Sequence, residues 1–589
     1  MAAITSAQNG NWSASATWTG GVVPGTGDTA TIAHTVTVDA HTSIGTSPNN
    51  TSTVVLSLNG SRQLIVGAGK VLTVKGNILD NLECVITLQA GATLLFDNSA
   101  SGGSPVYTFT NGFLILNANG TAGARCTLTA IPGQRWTRTG ASGFRAYNLT
   151  YTDVQRMATG SQFGINPNGA ASNSSLTEVT FDDCGRITFS ASNVGFNWLL
   201  DGVRFTNSID TDSCEFGFIP ALGANTRSIS RFVADKQVTL NGVGFRFRDV
   251  VFLNGMASTT SSDYLQFRNV FHTSAGAANG TLLTRSVERC YFVVDNEGGN
   301  PHFIQPQATV GGNNTVSQCV FESQSVDIGD IGDCVMTWGT NFSGSNKVTL
   351  ANNIVLKSSR AAVTSGCLLT SYAMDTAGPA VECARNTGCI NKSAVAGTCG
   401  MFNIGEAGSG GYAGQIPVLT SNLAFGTTAS QGWLANRVAG TVKDIVTPAG
   451  ARNNWIYNGQ TGNNQRGYQA QAAPTAMWTA GDAVAAGVDT NQVSGVDPQF
   501  YDSARNCAAW ATARGYGSTF SDAKTALAAN PLRVADLIQY IFEGFRPQAV
   551  TARTGAADGA CVGAANFARM RTTATVTAQR ATMAAKFGA

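Results

Sequence analysis

Val179-Thr180-Phe181-Asp182, Val203-Arg204-Phe205-Thr206-Asn207 and Val250-Val251-Phe252-Leu253-Asn254 follow one pattern: two or three residues, apolar or β-branched for the most part, ending in an aromatic or aliphatic with Asn, Asp or Thr beside them. The pattern returns as Asn269-Val270-Phe271, Cys290-Tyr291-Phe292, Cys319-Val320-Phe321, Asn353-Ile354-Val355-Leu356, Asn422-Leu423-Ala424-Phe425 and Asn454-Trp455-Ile456-Tyr457. Inside each unit the period is 2, the period of a strand. Successive units lie about 19 to 35 residues apart, and two wider gaps, 47 and about 70 residues, are near multiples of 23. Such a repeat is that of a parallel β-helix coil and not of a helical solenoid. A single short coil cannot bury its apolar face; stacking coils about 4.8 Å apart satisfies the backbone and lines the interior with like residues. Asn and Asp beside each strand suit the corners, because they tolerate the left-handed conformation.

Outward from this stretch the strand character persists. Val54 to Leu58, Gln63 to Val66, Lys70 to Val74, Cys84 to Leu88 and Ala92 to Phe96 read as short strands, with Val66-Gly67-Ala68-Gly69-Lys70 and Leu88-Gln89-Ala90-Gly91-Ala92 as consecutive equivalent corners. Trp12 and Trp18 are expected to cap the first coil, and Trp455 to be interior. After about residue 465 the character changes. Asp522 to Ala529 and Val534 to Phe545 have helical spacing, the second with Val534, Leu537, Ile538, Ile541, Phe542 and Phe545 on one stripe and Gly544 and Pro547 at its end. The expected organisation is an all-β chain with an N-terminal cap and first coil at 1–45, a parallel β-helix at 46–465, a linker at 466–495 and a partly helical docking or capping domain at 496–589. A solenoid over about 30–465 at roughly 23 residues per coil has about 19 coils and a length of about 90 Å.

Composition narrows the function classes. Charged residues are 12% of 589, about half the usual share, and 67 residues are Gly. Net charge is +2, from 37 basic and 35 acidic residues, which argues against a nucleic-acid footprint or a polybasic membrane surface. No apolar run approaches the roughly 20 residues that span a bilayer. Thirteen Cys form no CxxC pair, so they read as small buried hydrophobes, with disulfides formed after lysis as the alternative and no metal site. No cofactor is expected.

Candidate catalytic residues are few. His34, His41, His272 and His302 have no metal spacing. A polysaccharide-cleaving β-helix would hold two carboxylates roughly 5 to 9.5 Å apart on one face. Asp182 with Asp183, Asp210 and Asp212 with Glu215, and Glu322 with Asp327 are candidates, and turns explain the first two sets. Asp295-Asn296-Glu297-Gly298-Gly299-Asn300 follows a strand in a Gly-rich loop, so Asp295 and Glu297 are the carboxylates to test if the chain is an enzyme. Asp327, Asp330 and Asp333 lie at i, i+3 and i+6 but lack the ligand density of a calcium loop and read as two tight turns.

Two further stretches look familiar. Asn9-Gly10-Asn11-Trp12, Thr17-Trp18-Thr19-Gly20-Gly21-Val22-Val23-Pro24 and Gly27-Asp28 are similar to a cap-and-first-coil motif that opens many bacterial and phage surface β-helix proteins. Val496-Asp497-Pro498-Gln499-Phe500-Tyr501-Asp502, Arg505-Asn506, Trp510, Ala535-Asp536-Leu537 to Pro547 and Asp558-Gly559 to Gly563-Ala564 resemble the end of right-handed parallel β-helix proteins in phage and prophage structural modules. Cys507 departs from that pattern, which more often carries Leu. The resemblance implies a right-handed parallel β-helix on a bacteriophage virion, as a tail fibre, tailspike or capsid decoration used in host attachment. It carries over no catalytic residues. The start Met runs straight into strand-and-turn sequence without a leader, as expected of a virion part assembled in the host cytoplasm and released by lysis. The expected partners are other virion proteins, host-surface glycans and, by analogy, two further copies in a homotrimer, without nucleic acid or membrane insertion. The alternatives are a tailspike depolymerase, hydrolase or lyase, and a secreted adhesin lacking its leader. The structural protein and the depolymerase share the fold, so fold does not choose between them.

Overall fold

A computed structural model describes residues 2–46, 53–60, 62–81, 84–97, 106–110, 114–138, 146–159, 161–165, 174–191, 198–217, 227–240, 245–258, 265–274, 282–284, 286–294, 304–306, 314–323, 335–337, 347–357, 368–372, 380–390, 400–405, 418–426, 433–436, 453–457, 466–469, 477–479, 493–494, 496–549 and 563–564. The chain is all-β in class, built of mainly parallel sheets, with three short α-helices near its C-terminal end among the described residues. It divides into two compact units, Met1–Thr260 and Ser261–Ala589.

In the first unit the described strands pair in parallel with strands one repeat away along the chain. Ala3–Thr5, Thr29–Ile32, Val54–Asn59, Asn77–Asn81, Val106–Thr110 and Arg135–Arg138 make one six-stranded sheet in chain order. Two more columns of strands run beside it. One is Val36–Val38, Gln63–Val66, Cys84–Leu88 and Leu114–Asn119; the other is Thr42–Ile44, Val71–Val74, Thr93–Phe96 and Cys126–Ala130. The alternation read from sequence is the cause: in Gln63–Val66 and Val71–Val74 every second residue is buried. In-register pairing then stacks like on like. The rings of Phe181 and Phe205 lie 4.8 Å apart at 11°, the strand spacing itself, and each fully buried Phe contributes about 1.5–3 kcal/mol. The two Gly corners are equivalent as expected: Gly69 donates to Ala90 O and Gly91 to Ala124 O, and Gly69 has φ +66° and Gly91 φ +73°. Trp12 and Trp18 are buried in edge contact, ring centroids 4.8 Å apart, with indole N–H groups bonded to Pro24 O and Trp12 O.

One corner explains the recurring triplet. Tyr151, Glu178, Gly202, Arg231 and Asp249 of the first unit all have positive φ, and the residue after each of the first four (Thr152, Val179, Val203 and Phe232) points into the core. The second unit repeats this at Asn269, Arg289, Gln318, Asn352, Arg385, Ser421 and Asn453. Hydrogen bonding continues through the bend: Arg289 N–H donates to Ser317 O, Gln318 to Ala351 O and Asn352 to Ala384 O. Repeat lengths scatter about and above the roughly 23 residues expected: register joins Val233 to Val251, 18 residues on, and Gln63 to Val85, 22 residues on. In-register partners lie 24 residues apart at Asp182 and Thr206, 31 at Asn117 and Asn148, and 33 and 36 at Asn353, Asn386 and Asn422. Each of the two wide sequence gaps holds one further repeat, at Arg231-Phe232-Val233 and at Asn386-Thr387-Gly388-Cys389. Neither matched the triplet, since Ala234 stands in register with Phe252 and Gly388 with Val355.

In the second unit a further sheet runs Leu282–Thr284, Ile304–Pro306, Val335–Thr337, Leu369–Tyr372, Gly400–Gly405, Trp433–Asn436, Arg466–Gln469 and Met477–Thr479, the last pair antiparallel. Arg466–Gln469 and Met477–Thr479 fall within the stretch read as a linker. Three helices follow: α1 (Cys507–Ala513), α2 (Phe520–Ala529) and α3 (Arg533–Gly544). Asn506 caps α1 through Ala509 N–H, and Thr519 with Asp522 forms a capping box on α2. The stripe on α3 is buried as its spacing predicts. Gly544 is required where it stands, because a Cβ there would lie 2.5 Å from Asp502 O. Helix α1 was not anticipated from sequence; a seven-residue Ala-rich turn carries too little periodicity to read.

Candidate functional site

The polar face of the first unit grows from the same corner. In the strands after it, Asp153, Thr180 and Arg204 are in register and face outward. Arg125 reaches across this face: its Nε donates to Asp153 Oδ1 at 2.8 Å, and its Nη2 to Glu178 O at 2.9 Å and Thr180 Oγ1 at 3.3 Å. Arg231, at a corner, grips Asp201 with Nε and Nη2 at 2.7 and 2.6 Å and Glu178 Oε1 with Nη1 at 2.6 Å. Hydrogen bonding to Asp201, reinforced by Glu178, holds the Arg231 guanidinium firmly charged. Burial lowers the Arg204 pKa, and the Arg231 charge adds to that while Glu178 opposes it. These groups are about a third exposed, so screening leaves the pairs a modest share of stability; their effect is to fix donors and acceptors in place.

The acidic candidates of this unit are each occupied. Asp182 Oδ1 accepts from Thr206 Oγ1 at 2.9 Å and Asn207 Nδ2 at 2.8 Å. Asp183 pairs with Arg135 Nη2 at 2.7 Å. Asp210 accepts from Thr159 Oγ1 at 3.0 Å and Arg186 N–H at 2.6 Å. Asp212 and Glu215 flank Arg186, each 3.7 Å from a guanidinium nitrogen. These carboxylates are engaged by cations, hydroxyls and amide donors of neighbouring repeats, which fixes their positions on the face.

Asp295, Glu297, His302, Asp327, Asp330 and Asp333 lie outside the described residues. Glu322 is described and is 3% exposed; it takes the Tyr291 hydroxyl and, at 3.2 Å, the N–H of Cys507. The remaining His serve the fold. His34 Nδ1 meets Ser6 O at 2.8 Å, His41 Nδ1 accepts Val71 N–H at 3.2 Å, and His272 is buried beside Phe292. Among the described residues no group of three or more His, Cys, Asp or Glu could hold a metal ion, and no helix is long and apolar enough to cross a membrane.

Sequence reasoning named Asp182, Asp183, Asp210, Asp212 and Glu215 but neither the arginines that hold Asp183, Asp212 and Glu215 nor the lattice of Arg125, Asp153, Glu178, Asp201 and Arg231. Arg231 and Glu178 are 53 residues apart, and their meeting depends on the length of each repeat. No family model, curated protein or solved structure matches this chain.

Proposed function

We propose that this chain is a right-handed parallel β-helix acting as a non-catalytic structural protein of a bacteriophage particle, with its polar face turned to host-surface glycans. Repeat-by-repeat parallel pairing supports the helix, and the strong preference of parallel crossovers for one hand supports its sense. The observation that carries the role is the cross-repeat lattice of Arg125, Asp153, Glu178, Asp201 and Arg231. It is a fixed array of paired donors and acceptors, suited to a hydroxyl-rich ligand and poorly suited to moving protons. Single contacts of this kind are weak, and copies displayed together, as in a trimer, raise them by avidity.

The test uses the purified full chain with capsule and lipopolysaccharide from candidate hosts. Retention on the glycan without new reducing ends or unsaturated sugars is expected. Release of either product replaces this reading with a depolymerase, in which Asp295 and Glu297 become the residues to mutate. Mass spectrometry of purified particles is the second arm, and absence of the chain there replaces a virion part with an adhesin.

A further inference from the structure

Strands of the second unit bury three residues in a row where a solvent-facing sheet buries alternate ones. Tyr291, Phe292 and Val293 are all sealed from water, as are Val320, Phe321 and Glu322, and Leu423, Ala424 and Phe425. Register aligns Phe271, Tyr291, Val320, Ile354, Thr387, Leu423 and Trp455 in one outward column, apolar but for Thr387, whose hydroxyl accepts Ala564 N–H at 2.9 Å. The chain's own C-terminal segment covers it, retracing the repeats in reverse. Val496 O accepts the Trp455 indole N–H at 2.8 Å. Phe500 packs edge-on against Phe425 with centroids 5.0 Å apart. Cys507 N–H meets Glu322, and the Phe520 ring lies 6.4 Å from that of Phe271. The segment is braced within itself: Phe500 bridges to Pro547, and Asp536 takes the Trp510 indole and both forks of Arg514.

The two layers are joined differently. Repeats are tied to one another by continuous backbone ladders. The C-terminal segment is tied to them mainly through side chains, with one carboxylate in the middle of an apolar contact. Glu322 Oε2 accepts from Tyr291 beneath it and from Cys507, the first residue of α1, above it. Closed, the carboxylate is dry and needs both donors; open, it regains water, which offsets part of the cost of exposing the column.

We propose that residues 496–549 form a strap that opens as one unit, separately from the repeats beneath it, and that Glu322 is the latch that holds it shut. The inference concerns a conformational step and stands apart from the attachment role. Hydrogen exchange on the full chain tests it. In the wild type, amides of α1 and α2 should share one opening at least about tenfold more frequent than that of Lys347–Ala351 and Ala380–Ala384. Tyr291→Phe removes one donor and should speed strap exchange roughly 2- to 10-fold. Glu322→Ala removes the acceptor that both donors share and should speed it about 10- to 100-fold, in each case with the repeat strands unchanged. A common opening for strap and repeats, or strap exchange that moves in neither variant, overturns the proposal. Tyr291→Phe keeps the ring and its volume, so it decides the matter alone if Glu322→Ala does not fold.

Discussion

Asn353, Asn386, Asn422 and Asn454 occupy one buried corner column, and their amides form a continuous chain. The Asn386 side chain illustrates the unit: Oδ1 accepts Asn353 N–H and Nδ2 at 3.0 and 2.9 Å, while Nδ2 donates to Leu350 O and Asn422 Oδ1, both at 3.0 Å. An amide fits because it offers acceptor and donor at once to a corner whose backbone groups would otherwise be buried without partners. Asn386→Ala strands several of them and should cost about 3 kcal/mol or more in urea unfolding. One repeat earlier the column holds Cys319, whose Sγ meets Val287 O at 3.7 Å while its N–H already donates to Asn353 Oδ1 at 3.0 Å. Cys319→Asn extends the chain by one amide and should gain about 0.5–1.5 kcal/mol. The eight described thiols are buried and free. Burial pushes Cys184 from 9.0 up to about 12 and Cys214 well above its usual value. Because the folded pKa exceeds the unfolded one, the stability from keeping these thiols protonated is complete below pH 9 and is lost as pH rises toward 12. The urea midpoint should therefore fall between pH 8 and pH 10.5, and labelling of Cys184 by a thiol reagent at pH 8 should require unfolding.

Among elements, the middle residue of the recurring triplet tells a covered strand from an open one. The corner turns the first and third residues inward and the second outward. In the open strands of the first unit that residue is Asp153, Thr180 or Arg204; beneath the C-terminal segment it is Tyr291, Val320 or Leu423. A run such as Cys319-Val320-Phe321 thus carried a sign of a second layer, legible before any contact was known. The same substitution separates the two cases. Val320→Asp places an unpaired charge under the segment and should cost about 3–5 kcal/mol in thermal or urea unfolding. Thr180→Asp leaves an acceptor for Arg125 in half-exposed surroundings and should stay within about 0.5 kcal/mol of the wild type. The helices show the limit of such reading: α3 was legible from its stripe, and α1 was not, because its position rests on Asn506 as cap and Glu322 as anchor.

At the scale of the whole chain, pairing partners recur one repeat away throughout each unit, so a repeat mainly touches its neighbours. Stability in such an arrangement is close to a sum of nearest-neighbour terms. Asn386→Ala should raise hydrogen exchange in Lys347–Lys357 and Val418–Gly426 while leaving Gln63–Val66 and Val71–Val74 unchanged. Uniform loosening across the chain would show instead that it unfolds in one cooperative step.

The amino-acid sequence by itself determined the all-β class, the inward and outward sides of the strands, the Gly and Asn corners and the stripe of α3. All of these follow from alternation and backbone preference within a few residues. Repeat length, the Asn chain, the arginines that meet Glu178 and Asp201, and the burial of Glu322 were decided only by tertiary structure. Each joins residues 18 to 185 positions apart, and which of them meet depends on how far every intervening loop carries the chain before the next strand locks into register.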